Sequence, residues 1–250
     1  MGLSIRALSG GRLVGLHKPT TMYMRGWGET YDSALIMFLI EGGESPILVD
    51  TGPPDADRVW RYHHYKLEQD PSEVPLEALK RAGVDPDEVK IVINTHLHWD
   101  HCSNNKEFPN AKFLIQRDEL HYAVYPLEWN RVAFEMIPGL EPAWYSVWHR
   151  IEAVDGEVPV ALGVSTVPLP GHTPGSQGVL VETDGGRYLI AGDCVPLYEN
   201  WLGDDTATHI PNGLCYDLGV YAKSFRKIDT LDCEVIPSHD PAVLDRGVFK

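Results

Sequence analysis

The segment KIVINTHLHWDHCSNN contains four side chains that can bind a metal ion, all within a stretch of six residues. They are His96, His98, Asp100 and His101. Alternate residues of an extended chain point to the same side, so His96 and His98 are placed to bind one cation. Asp100 and His101 follow where the chain is expected to turn into a helix, and would face a second cation close by. Imidazole nitrogen and carboxylate oxygen are suitable ligands for zinc and similar first-row ions.

Two coordination spheres need further ligands, and the sequence places three candidates at the ends of predicted strands. They are His172 in VPLPGHTPGS, Asp193 in YLIAGD and His239 in EVIPSHD. Gly171 and the prolines beside His172 fix an unusual backbone course there. We expect one ion to be bound by His96, His98, His172 and Asp193, and the other by Asp100, His101, Asp193 and His239. Asp193 would bridge the two ions, with a solvent-derived hydroxide between them.

Two other interpretations of this cluster are surface or core histidines and a structural zinc site. A structural site is usually a closed shell of four ligands around one ion, whereas seven side chains are available here. Asp50, in ILVDTG, also ends a predicted strand. It is expected either to accept a hydrogen bond from a ligating imidazole and fix its tautomer, or to serve as a turn or cap carboxylate.

Charge and composition exclude several classes of protein. The 250-residue chain has 36 acidic and 21 basic residues, a formal charge of −15, which disfavours a nucleic-acid partner because phosphate binding rests on Lys and Arg. The N-terminus does not resemble a signal peptide, and no segment has the roughly 20 apolar residues of a membrane helix. The four cysteines are scattered, which favours free thiols and a cytoplasmic location.

The pattern of apolar runs predicts alternating strands and helices. Strands are expected at 33–40, 46–49, 90–93, 111–115, 164–167, 178–182, 188–191 and 234–236, and helices at 75–82 and 220–228. Antiparallel pairs occur early and late, which suits two sheets packed face to face with helices outside. We find no repeat or linker, so the sequence predicts a single domain over residues 1–250.

An aromatic-rich insert at about 119–150 stands apart, with three of the seven tryptophans. It would either line an apolar substrate cleft, cover a subunit contact, or pack into the core. Met22, Met24 and Trp27 precede the first clear strand. They are expected either to contribute to an apolar acyl pocket or to fill the core.

The motifs THLHWDH, PGHTPGS, IAGD and SHD, together with ILVDTG, resemble those of the metallo-β-lactamase superfamily. The resemblance runs from about Ser33 to Asp240. It implies a four-layer αβ/βα sandwich with a dinuclear metal site at one edge, loaded with two divalent ions. Zinc is the expected metal, with cobalt, manganese or iron as alternatives. Within the superfamily, the order and spacing are most similar to the quorum-quenching N-acyl-homoserine lactonases.

One departure from those lactonases concerns a tyrosine that assists the substrate carbonyl three residues after the bridging aspartate. Here that position is Pro196, and Tyr198 is the candidate replacement. The resemblance implies hydrolysis of a lactone by attack of the bridging hydroxide, with Asp100 taking the released proton.

The sequence leaves open the bond that is hydrolysed, whether the protein is an enzyme, and its oligomeric state. A thioester or other ester hydrolase of the glyoxalase II type has the same ligands, and a metal-binding sensor or scaffold without turnover is the non-enzyme alternative. The protein is expected to be a monomer or a homodimer.

Overall fold

The computed structural model describes residues 2–250, which form thirteen strands and seven α-helices. The strands are β1 (Ser4–His17), β2 (Thr30–Glu41), β3 (Ile47–Val49), β4 (Leu67–Glu68), β5 (Ile91–Ile93), β6 (Lys112–Gln116), β7 (Ile151–Val154), β8 (Pro159–Ala161), β9 (Val164–Pro168), β10 (Gln177–Thr183), β11 (Gly186–Ile190), β12 (Glu234–Ile236) and β13 (Val248–Phe249). The helices are α1 (Ala56–His63), α2 (Pro75–Arg81), α3 (Trp99–Cys102), α4 (Arg117–Val124), α5 (Tyr198–Leu202), α6 (Leu218–Asp229) and α7 (Pro241–Arg246).

The strands form two sheets. The first has the order β13-β1-β2-β3-β5-β6-β7 with β4 paired to β1, and the second has the order β12-β11-β10-β9-β8. In the first sheet β3, β5, β6 and β7 are parallel neighbours. In the second, β11 and β12 are parallel, and β9 runs in the same direction because both β9 and β11 are antiparallel to β10. The carboxyl ends of the strands that precede the predicted ligands therefore share one edge in each sheet.

Three apolar clusters define the layers. One lies between the sheets and includes Phe38 and Val49 from the first sheet with Val179 and Ile190 from the second. Another covers the outer face of the first sheet with residues of α2 and of the aromatic insert. The third covers the outer face of the second sheet with α6. The order helix, sheet, sheet, helix is the predicted four-layer sandwich, and the fold prediction is confirmed.

The predicted strands and the two predicted helices are present, with bounds shifted by a few residues. Strand β1 was not predicted from the alternation of apolar and polar residues. Its pairing with β2 shifts register between Ser9 and Arg12 and again between Leu13 and Leu16. A bulge breaks the two-residue period on which a strand prediction depends, so the signal was lost.

The aromatic insert forms α4 followed by short 3₁₀ turns at Glu128–Asn130 and Ala143–Arg150. Trp144 is buried, whereas Trp129 and Trp148 are exposed. All four cysteines are free thiols, as predicted. Within residues 2–250, no helix has the length and apolar character needed to cross a membrane.

Candidate metal centre

The seven predicted ligands converge where the two sheets present their carboxyl edges. Strand β5 ends at Ile93, and the extended residues after it carry His96 and His98. Helix α3 begins at Trp99, so Asp100 and His101 occupy its first turn. The second sheet supplies the other ligands from the segments after β9, β11 and β12. These are His172, Asp193 and His239.

One group of donor atoms comprises three histidines. The Nδ1 atom of His98 lies 3.0 Å from Nε2 of His172, and Nε2 of His172 lies 3.4 Å from Oδ2 of Asp193. The donor atoms of His96, His98 and His172 all lie within 4.8 Å of one another. This spacing allows a single cation to contact all three.

The second group centres on the other oxygen of Asp193. Its Oδ1 atom lies 3.0 Å from Nε2 of His239 and 3.3 Å from Nε2 of His101. The Oδ2 atom of Asp100 lies 3.7 Å from Nε2 of His101 and 3.9 Å from Nε2 of His239. The two oxygens of Asp193 thus face different histidines, which is the geometry that a bridging carboxylate needs.

The donor set fits divalent metal ions. Within residues 2–250, the buried Nε2 atoms of His96 and His101 have no hydrogen-bond partner. Burying an unpaired polar atom costs free energy, and a cation at these positions would remove that cost. Five imidazoles and two carboxylates form a nitrogen and oxygen set suited to zinc.

The five histidines form two groups, one with lowered and one with raised pKa values. Burial and the neighbouring imidazoles hold the pKa of His96 and of His98 well below the usual range, and burial also lowers the pKa of His172. These three rings are therefore neutral at pH 7. Each has a lone pair available for a metal ion without losing a proton first.

The other two imidazoles, those of His101 and His239, lie beside negatively charged carboxylates. Burial opposes their protonation, but Asp100, Asp50 and Asp193 together raise the pKa of His101 well above its usual value. For His239, Asp193 outweighs burial in the same direction. Burial likewise opposes ionisation of Asp193, yet His239, His101 and His172 bring its pKa well below the usual range. Both imidazoles therefore hold a proton more tightly than a free imidazole does.

Backbone and side-chain acceptors fix the orientation of three rings. His172 donates from Nδ1 to the carbonyl oxygen of Leu214 at 2.6 Å, and His239 donates from Nδ1 to that of Ala34 at 2.8 Å. Because a carbonyl only accepts, these bonds leave each Nε2 atom without a proton when the ring is neutral. His101 makes the equivalent bond to Asp50. Such partners set the tautomer and raise the basicity of the metal-facing nitrogen.

Asp50 accepts hydrogen bonds through both oxygens of its carboxylate. Its Oδ2 atom accepts from Nδ1 of His101 at 2.8 Å and from the hydroxyl of Thr95 at 2.7 Å, while Oδ1 accepts from the Thr95 backbone N–H at 2.7 Å. Its backbone is left-handed, with φ of 59°. A non-glycine residue in this region carries strain that the surrounding contacts must offset.

Two further residues, neither predicted as part of the site, orient the candidate ligands. The hydroxyl of Ser238 donates to Oδ1 of Asp193 at 2.8 Å. Glu119, fully buried on α4, accepts hydrogen bonds from the backbone N–H of Leu97 at 2.9 Å and of Gly175 at 3.2 Å, and from the hydroxyl of Thr173 at 2.5 Å. Glu119 therefore joins the loop of His96 and His98 to the loop of His172.

A glycine is required where the His172 loop meets α4. A Cβ atom on Gly175 would lie 2.0 Å from the backbone nitrogen of Glu119, far closer than two such atoms can approach. Gly171 has φ of 144°, which accounts for the unusual backbone course predicted before His172. Burial raises the pKa of Glu119 to about 7 against the effect of its three donors.

Four sequence-predicted residues lie apart from these ligands. Tyr198 packs against the core between the sheets, and its backbone N–H donates to Asp240 at 2.9 Å. Met22 is buried against Leu197 and Ile210. Met24 and Trp27 are exposed. Among residues 2–250, the cavity over the predicted ligands is lined by none of these four.

A cavity of about 370 Å³ opens onto the ligands. His98, Asp100, His172, Asp193 and His239 form its floor. One wall comes from the end of β1 and the start of β2, and another comes from the aromatic insert through residues 129–133. A third wall follows residues 212–215. The insert therefore takes part in the cleft, as one of the sequence-based interpretations expected.

A four-layer sandwich with histidine and carboxylate ligands at the shared edge of its sheets is the architecture of a metal-dependent hydrolase. The sequence profile described as the metallo-beta-lactamase superfamily matches residues 37–239. The chain belongs to this superfamily. The match covers most of β2 through to His239 and so includes every predicted ligand.

Characterised relatives include two N-acyl homoserine lactonases. The one from a Bacillus species is 30% identical over 183 residues, which cover 70% of this chain and 69% of the relative. The one from Bacillus cereus is 31% identical over 177 residues, covering 66% and 65%. These alignments span about two thirds of each relative's length.

A solved N-acyl homoserine lactone hydrolase, with the product N-hexanoyl-L-homoserine at its catalytic metal centre, superposes with a TM-score of 0.78. It is 23% identical, and the match covers 97% of this chain and 95% of that one. The likeness extends to almost the whole chain and shows that the two proteins share a fold.

Proposed function

We propose that the protein is a metal-dependent lactonase that opens the ring of an N-acyl homoserine lactone or a related cyclic ester by hydrolysis. The observation that carries the proposal is the position of Asp193, whose two oxygens face the two groups of histidines at 3.0 to 3.4 Å. The N-acyl homoserine lactonases at 30% and 31% identity support the choice of substrate.

The proposed metal ligands are His96, His98, His172 and Asp193 for one ion, and Asp100, His101, Asp193 and His239 for the other. Two zinc ions suit this set, and cobalt, manganese or iron have similar ligand preferences. Divalent metal bound there supplies Lewis acidity for the ester carbonyl and lowers the pKa of water. Ser238 and Asp50 hold Asp193 and His101 in the orientation that binding requires.

Asp100 is the proposed proton acceptor. Its side chain lines the cavity floor and is more exposed than that of Asp193, which also lies there. A carboxylate in that position can take the proton of the attacking water and pass it to the alkoxide that leaves when the ring opens. One water proton thus reaches the alkoxide within the site and gives the hydroxyl, and the new carboxylic acid on the same molecule releases its own proton to solvent at neutral pH.

The cavity walls suit an acyl chain attached to a small polar ring. Leu13, Leu16, Trp129, Val132 and Leu214 provide apolar surface above the polar floor. Binding sites of this kind combine apolar walls with a few polar groups that set the orientation. An N-acyl lactone has both parts, with the ring at the floor and the acyl chain along the wall.

A substrate panel tests the proposal. Purified protein is assayed with lactones that carry short and long acyl chains and with thioesters, before and after chelation and again after zinc is restored. We expect turnover of lactones that is lost on chelation and recovered with zinc. Turnover confined to thioesters would assign the site to thioester hydrolysis, and metal binding without turnover of any ester would indicate a sensor or scaffold.

A further inference from the structure

Ester hydrolysis places negative charge on the former carbonyl oxygen, and hydrogen-bond donors aimed at that oxygen accelerate the reaction. The cavity wall offers two phenols for this purpose, Tyr31 and Tyr65. Tyr198 does not line the cavity, and position 196 is a proline. The two phenols differ in how the structure holds them.

Tyr31 lies on the Asp193 side of the floor. It is near the start of β2, three residues before Ala34, whose carbonyl accepts the hydrogen bond from His239. Its ring packs against the apolar cluster of Met22, Leu197 and Ile210. The ring is therefore held on a strand and not on a loop, which favours a fixed donor position.

Thr21 orients the hydroxyl of Tyr31. Its own hydroxyl, on a buried residue, contacts the phenol oxygen. When Thr21 donates to that oxygen, the phenolic O–H stays free to point into the cavity. Burial, with a contribution from Asp193, raises the pKa of Tyr31, so the phenol keeps its proton at neutral pH.

Tyr65 is placed differently. It lies on the Asp100 side, where its ring stacks on Trp99 with centroids 6.3 Å apart. Within residues 2–250, no side-chain hydroxyl contacts its phenol oxygen as Thr21 contacts that of Tyr31. The more ordered phenol is therefore the one beside Asp193.

We propose that Tyr31 donates a hydrogen bond to the substrate carbonyl oxygen as charge builds on it during ring opening, oriented by Thr21. This inference rests on the proposed lactone hydrolysis. No proton is transferred: the phenol stays neutral throughout and the bond strengthens as the oxyanion forms. Tyr31 is thus a catalytic residue contributed by β2, outside the segments that supply the metal ligands.

The test compares Tyr31→Phe with Tyr65→Phe and with Tyr188→Phe, whose hydroxyl lies outside the cavity and donates to the Lys250 carbonyl. Each zinc-loaded variant is assayed for metal content, for lactone kinetics, and for affinity for N-hexanoyl-homoserine by calorimetry. For Tyr31→Phe we expect kcat to fall by about a hundredfold with little change in KM, since the bond is strongest in the transition state. Metal content should stay at the wild-type value.

Product binding separates this inference from the proposed function. We expect Tyr31→Phe to bind N-hexanoyl-homoserine about tenfold more weakly, because its carboxylate contains the former carbonyl oxygen. Wild-type protein without chelator-sensitive lactone turnover would refute the proposed function. Wild-type turnover and unchanged product affinity in Tyr31→Phe would refute only the role of Tyr31. A loss that follows Tyr65→Phe instead would also refute it.

Discussion

Glu119 accepts a hydrogen bond from the backbone N–H of Leu97 at 2.9 Å, and the same carboxylate accepts one from Gly175 at 3.2 Å. Leu97 lies between two predicted ligands, and Gly175 follows a third in the next loop. One buried side chain therefore sets the distance between the segments that each sheet contributes to the centre. Its position on α4 ties the first helix of the aromatic insert to the metal site.

Replacing Glu119 with alanine is expected to lower both stability and metal content. The change leaves two backbone N–H groups and the Thr173 hydroxyl without their acceptor in the interior, and unpaired buried groups cost about 1–3 kcal/mol each. We expect the free energy of unfolding to fall by about 3 kcal/mol, with less than the wild-type amount of zinc retained after dialysis. Denaturant unfolding and elemental analysis measure the two effects.

Asp118→Ala is the matched control, since Asp118 is the exposed neighbour of Glu119 on the same helix turn. It should leave stability and zinc content close to wild type. Equal stability of the two variants would contradict the role given to Glu119.

The hydrogen bond between Asp50 and His101 leads to a second prediction. In Asp50→Asn the amide retains one acceptor, which the Thr95 N–H needs, and its NH₂ group then meets Nδ1–H of His101. His101 is expected to move its proton to Nε2, the nitrogen that faces the ions. We expect zinc affinity to fall about tenfold to a hundredfold, the usual effect of losing such a partner.

Competition with a chromophoric chelator measures that affinity. Asp55→Asn provides the control, because Asp55 caps α1 through a bond to the Arg58 N–H and lies away from the ligands. Wild-type zinc affinity in Asp50→Asn would show that the tautomer of His101 does not depend on Asp50.

The proposed ligands could be singled out from the sequence because they lie in short segments at strand ends. His96, His98, Asp100 and His101 are close in the chain, and parallel strands bring their carboxyl ends to a common edge. Asp50, directly after β3, could be singled out in the same way. A local pattern determines where such a residue lies once the sheet order is known.

Glu119 and Ser238 could not be found in this way. Each acts through a contact between segments far apart in the chain, such as Glu119 with Gly175 or Ser238 with Asp193. Met24 and Trp27 illustrate the converse. Apolar residues before β2 suggested an acyl pocket, yet the turn between β1 and β2 exposes them to solvent. Tertiary packing, not local sequence, decides which side chains reach a cavity.

The bridging position of Asp193 predicts that removing its carboxylate affects both ions together. In Asp193→Ala, neither group of histidines retains the oxygen that now lies 3.0 to 3.4 Å away. We expect zinc to fall from two ions to fewer than one per chain, with lactone turnover reduced at least about a hundredfold. Elemental analysis and kinetics on the same preparation measure both quantities.

The exposed Asp205 offers the control substitution Asp205→Ala, which should bind two ions and turn over as wild type does. An Asp193→Ala protein that keeps two ions and full activity would exclude a bridging role.

The raised pKa of His101 and of His239 predicts that metal binding releases protons. Burial opposes charge on both rings, but the carboxylates beside them favour it, so in the metal-free site each ring holds a proton more tightly than a free imidazole does. The resulting ion pairs stabilise the metal-free fold below the unfolded pKa of histidine, and this contribution is lost as pH rises through the raised values. Zinc must displace these protons, so its affinity should increase with pH over the same window.

Calorimetric titration with zinc at pH 7, in buffers of different ionisation enthalpy, counts the protons. We expect between one and two released per chain, decreasing as pH rises. His101→Gln should release fewer, while His149→Gln, a change at an exposed histidine, should match wild type. Zinc binding with no net proton release at pH 7 would mean that both rings are already neutral. In that case the positive charge that balances Asp193 would come from the ions alone, and zinc affinity would show little dependence on pH between 6 and 8.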